Sequence, residues 1–132
     1  MCVFLGGAPA SADAGLKNPG FEEGAVGEAP PGWALTTPGS VARVVEDDPK
    51  EGTRCLRVGP GGDAKGPGVA VLLQAIDAKP YRGKAVKFRA AVRVDEAKEG
   101  EGRAQLWMRV DRAGGRRGFF DNMNDRPVRA KE

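Results

Sequence analysis

The 132-residue chain has room for one domain built around one core. Lysine and arginine number 21 against 18 aspartates and glutamates, a formal +3 too evenly spread to mark a nucleic-acid surface. Histidine is absent, which excludes Ser-His and Cys-His dyads, the commonest general base near neutral pH, and histidine-ligated zinc.

Two cysteines, Cys2 and Cys55, are too few for a disulfide framework, and their pairing with each other is not expected. Cys55 lies in an apolar alternation and reads as a small, buried, free thiol. The 20 glycines and 10 prolines punctuate apolar runs without forming a repeat, which reads as many turns between short strands. No run approaches the roughly 20 apolar residues of a membrane-spanning helix.

Residues 1–14 carry a small-x-small site, Ala10-Ser11-Ala12, of the kind a signal peptidase cuts. Only Val3, Phe4 and Leu5 remain of an apolar stretch, and no basic residue precedes them. Two readings stand: the tail of a signal peptide that starts upstream, which is favoured, or a disordered leader. Residues 15–132 are then one module. Residues 16–18 read as a short strand leading into turns at Asn18-Pro19-Gly20 and Pro30-Pro31-Gly32. Phe21 and Trp33 read as core aromatics.

Farther along, Val41, Arg43 and Val45 alternate with Ala42 and Val44, a polar turn occupies residues 47–52, and residues 53–58 resume as a strand. The longest patterned stretch, residues 69–111, holds three apolar runs. In the second, Val86, Phe88, Ala90, Val92 and Val94 oppose Lys87, Arg89, Ala91 and Arg93. In the third, Ala104, Leu106, Met108 and Val110 alternate with Gln105, Trp107, Arg109 and Asp111. Period-two alternation predicts strands dry on one face and wet on the other, hence antiparallel sheets.

Four segments carry a family resemblance: NPGFE at residues 18–22 with Pro-Pro-Gly-Trp ending at Trp33, GTRCLRV at 52–58, Tyr-Arg-Gly-Lys at 81–84, and the block from Leu106 to Pro127. Together they resemble the galactose-binding-like jelly-roll domains, among them the carbohydrate-binding modules attached to bacterial cellulases and xylanases. Cys55 stands where that family usually has serine. The resemblance implies an all-β, antiparallel jelly-roll β-sandwich that lacks its last strands here, since the family continues beyond the Asp-Arg-Pro turn. A longer natural protein, or a truncated reading frame, is the expectation.

The resemblance also implies a structural calcium near the opening turn. Glu22 is the carboxylate ligand by position, with carbonyls from near Asn18 and from the turn at residues 52–54; the family's last-strand aspartate is missing. The sugar-binding face it implies is the wet side of the long strands. Arg89, Gln105, Trp107 and Arg109 lie there by alternation, with Asp121 and Asn122 as acceptors from the neighbouring loop. A sugar ring needs an aromatic platform flanked by fixed hydrogen-bonding groups, which Trp107 between Gln105 and Arg109 can supply. The competing reading of Trp107 is plain packing, with arginine stems stacked on it.

Carboxylates sit in turns with nothing to raise one selectively, and no phosphate loop is present, so catalysis is not expected. The expected protein is a secreted or periplasmic, non-catalytic accessory module that binds a polysaccharide or oligosaccharide. The alternative is a structural domain that docks on a neighbouring catalytic domain such as a peptidase. Neither nucleic acid nor a membrane span enters either reading.

Overall fold

The computed structural model describes residues 2–4, 15–62, 68–95 and 102–130. The expected leader beyond Phe4 and most of the charged turn at 96–102 therefore lie outside the described residues. The described chain is mostly β, with ten short strands, one 3-10 turn at Lys79–Tyr81 and no α-helix. No described helix is long and apolar enough to cross a membrane.

The main sheet has four antiparallel strands. They are β1 (Cys2–Phe4), β3 (Ser40–Val45), β4 (Cys55–Pro60) and β6 (Ala91–Arg93), in the order β3-β4-β1-β6. Three further antiparallel pairs join β2 (Ala34–Leu35) to β5 (Leu72–Leu73), β7 (Arg103–Ala104) to β10 (Val128–Arg129), and β8 (Met108–Asp111) to β9 (Arg117–Asp121). Strand β1 comes from the stretch read as leader. Its backbone lies between β4 and β6, with Val3 opposite both Leu56 and Val92.

The β3–β4 hairpin forms where the alternation predicts it. Val44 pairs with Leu56 and Ala42 with Val58, so all four side chains share one face, and all four are buried. That face packs against Phe21, Trp33, Leu35, Ala70, Leu72 and Ala90. Phe21 is fully buried, with its ring 5.5 Å from that of Trp33 and tilted by 46°. Both aromatics thus belong to the core, as their sequence context suggested. Phe21 holds a left-handed backbone (φ 58) that costs a bulky residue of order 1–2 kcal/mol, a strain the surrounding packing sustains.

Three expectations are corrected. Residues 16–18 form no strand; instead Gln74 grips this segment, accepting from the Lys17 amide (2.6 Å) and donating to the carbonyls of Lys17 (3.0 Å) and Gly32 (2.9 Å). The long strand expected over residues 86–94 shrinks to Ala91–Arg93, matched residue for residue to the three of β1, and Val86 and Phe88 are exposed. Apolar alternation marks a face, but a ladder extends only as far as its partner. Finally Cys55, although fully buried, is joined in a disulfide in a chain that has two cysteines, so it is not the free thiol expected.

Candidate functional site

Hairpin β8–β9 carries the clearest constellation of exposed chemistry. Arg109 pairs with Phe120 and Val110 with Phe119, while Asp111 pairs with Arg117. The register slips between Val110 and Asp111, so Gly118 is the extra residue of a β-bulge. In an unbroken strand, positions 117 and 120 face opposite ways. The bulge cancels that alternation and brings the Arg117 guanidinium over the Phe120 ring, 5.0 Å from its centroid.

Trp107 completes the group, with its ring 6.4 Å from Phe120 and tilted by 55°. Arg109 spends its Nε and Nη2 on a single oxygen of Asp111, at 3.2 and 3.0 Å. One side of the hairpin thus presents an indole, a phenyl ring, a guanidinium over that ring and an arginine–aspartate pair. The other side presents Met108, Val110 and Phe119, of which Val110 and Phe119 are exposed.

The other residues expected at this face are distributed differently. Gln105 reaches it indirectly, donating from Nε2 to the Asn122 carbonyl (3.1 Å). The Asn122 side chain accepts from the Asn124 amide and so shapes the following turn. Asp121 lies opposite Met108, on the side away from Arg109 and Phe120. Its carboxylate accepts from the Met123 amide (2.9 Å) and from Arg126. The Met123 amide first, then Arg126, hold it below the usual aspartate range. Arg89 is exposed in a segment without ladder pairing, and no described contact joins it to the hairpin. Sequence reasoning missed Arg117 and Phe120. The available signal was Gly-Gly-Arg-Arg-Gly-Phe-Phe, a glycine turn leading into a basic and aromatic strand.

The opening turn shows how the expected calcium ligands are used. Asn18, buried and left-handed (φ 46), closes the turn. Its side chain accepts from the Glu23 amide (3.1 Å) and donates to the carbonyls of Glu23 and Pro31. Its own carbonyl accepts from Trp33 Nε1 (3.2 Å) and the Phe21 amide (3.3 Å). The Glu22 carboxylate accepts from the Thr53 hydroxyl (2.6 Å) and from the amides of Thr53 (2.9 Å) and Arg54 (3.1 Å). The Thr53 hydroxyl is the main reason its pKa lies below the usual glutamate value, with the two amides and the Arg54 charge adding to it.

Arg54 Nη1 donates to the carbonyls of Glu22 (2.9 Å) and Gly24 (2.7 Å). A calcium ion needs six to eight oxygens with lone pairs aimed at it. Here the turn at residues 52–54 aims N–H groups at Glu22, and a guanidinium occupies the nearby carbonyls. No buried side-chain nitrogen or oxygen among the described residues lacks a partner. The residues present therefore do not fit a calcium ion at this turn. Among the described residues there is also no group of three or more acidic or cysteine side chains able to hold a metal elsewhere.

Two shallow depressions lie away from the hairpin. One, of about 370 Å³, is lined by Val41, Arg43, Val45 and Arg57 on the outer face of β3–β4. The other, of about 350 Å³, lies beside Lys17, Trp33 and Gln74. Neither includes Trp107 or Arg109. No known protein family, curated protein or solved structure matches the chain.

Proposed function

We propose that this protein is a non-catalytic accessory module that binds carbohydrate on the Trp107–Phe120 side of the β8–β9 hairpin. The observation that carries the reading is the aromatic pair of half-buried Trp107 and exposed Phe120, flanked by Arg117 and by the Arg109–Asp111 ion pair. Aromatic rings take the apolar CH face of a sugar, and rigid polar groups read its hydroxyls. Binding of this kind makes and breaks no bond.

A jelly-roll sandwich is the finer architecture we infer. The buried side of β3–β4 packs against Leu35 of β2 and Leu72 of β5, as one layer packs on a second. Further support for a non-catalytic role comes from the carboxylates. Glu22 and Asp121 are both held below their ordinary values, whereas a general acid needs a raised one. Asp47, Asp48 and Asp111 are paired with Arg57, Arg93 and Arg109. The disulfide at Cys55 suits a secreted or periplasmic location.

A second reading, docking on a neighbouring catalytic domain, draws on Val110 and Phe119, exposed on the opposite side of the same hairpin. Affinity electrophoresis of the full chain through gels holding soluble polysaccharides separates the two. Retardation lost in Trp107→Ala but kept in Phe119→Ser, with both melting as wild type, supports glycan binding. No retardation by any polysaccharide sinks that reading and leaves docking.

A further inference from the structure

The tip of this hairpin carries more positive charge than the protein neutralises. Arg54 pairs with Glu46, Arg57 with Asp47, Arg93 with Asp48 and Asp95, Arg109 with Asp111, and Arg126 with Asp121 and Asp125. Arg112, Arg116 and Arg117 fall within six residues that contain no acid, and all three are exposed. Among the described residues, none of the three has a carboxylate partner.

Their placement is ordered. Arg112 and Arg116 close the tip through a backbone hydrogen bond of 2.7 Å. The Arg112 side chain lies across Gly118, where a Cβ would come within 3.1 Å of its Cγ and Nε. The Arg117 guanidinium carbon lies over the Phe120 ring, 5.0 Å from its centroid. A guanidinium held over a ring still has N–H groups to offer a bidentate acceptor. Phosphate and carboxylate both meet that description, and the neighbouring aromatic pair favours a ligand whose acid group sits on a ring with an apolar face, as the carboxylate of a uronate does.

Resting on the carbohydrate reading above, we propose that the ligand is an acidic polysaccharide of the uronate type. The sugar ring lies against Trp107 and Phe120, and its carboxylate is bound by Arg117, with Arg112 and Arg116 attracting neighbouring acid groups along the chain.

Calorimetry of the full chain with polygalacturonate and with its methyl ester tests this, because esterification removes the charge and keeps the ring. The expected result is binding about tenfold or more tighter to the acid form, weakening as salt rises, with Arg117→Gln reducing the preference and leaving the melting temperature unchanged. Equal binding of acid and ester overturns the uronate proposal while the carbohydrate reading survives. Binding of neither form or of any neutral polysaccharide overturns both. Equal affinity for a single-stranded oligonucleotide shows a general polyanion surface and also overturns the proposal. Since acid and ester are compared on unaltered protein, the test stands even if a variant misfolds.

Discussion

Glu22 and Arg54 are joined twice, and Arg54 is the donor both times. The Arg54 amide donates to the Glu22 carboxylate at 3.1 Å, and the Arg54 guanidinium donates to the Glu22 carbonyl at 2.9 Å. The two residues are 32 apart in sequence, so the clasp ties the opening turn to the start of β4.

Removing the carboxylate charge should loosen that clasp. Glu22→Gln is expected to lower stability by about 1 kcal/mol, a figure kept small because the site is exposed. The dependence on pH follows from the lowered pKa. The stabilisation is complete above the ordinary glutamate value of the unfolded chain and is lost as pH falls through the folded value. Thermal melts of wild type and variant should therefore converge in acid. A gap that persists there would assign Glu22 a role other than its charge.

Gly52 leaves room for the same clasp. Its φ is +71, and a Cβ there would stand 2.1 Å from Glu22 Oε1. Gly52→Ala should cost about 1–3 kcal/mol, through backbone strain and displacement of the carboxylate. Combined with Glu22→Gln, it should cost less than the sum of the two, and a double-mutant cycle by urea unfolding measures the shortfall.

Calcium and chelator should leave the melting temperature of the full chain unchanged, because the oxygens near Glu22 are already committed to donors. A calcium-dependent rise that disappears in Glu22→Gln would show that a metal displaces Arg54.

Phe21→Ala should be among the most damaging core changes, at about 3–5 kcal/mol, because the ring is fully buried and Trp33 packs on it. Tryptophan fluorescence should shift to the red in the native state as Trp33 gains water. An unshifted spectrum with full stability would place the core elsewhere.

Parts of this architecture were legible in the sequence for a simple reason. The β3–β4 hairpin is local, and its alternation, its turn and its partner all lie within residues 40–60. Phe21 and Trp33 were legible because turn residues surround two large aromatics that need cover. The pairing of β1 was not, since three apolar residues beside a small-residue run resemble a processing site as much as a strand. Nor could the apolar period of residues 86–94 reveal how many of them find a partner. At the hairpin, strict alternation put Trp107 and Arg109 on one side. Arg117 was missed because it reaches the same side by breaking that alternation.

The bulge at Gly118 has a further consequence for how this surface can change. It removes one residue from the two-residue count, so an odd spacing delivers Arg117 and Phe120 to the same side. A strand-forming residue at 118, drawn into regular pairing, would restore the count and turn Arg117 toward Val110 and Phe119. The positive charge would then leave the aromatic platform without any arginine being replaced. Position 118, which has no side chain, decides which side of the ribbon Arg117 takes.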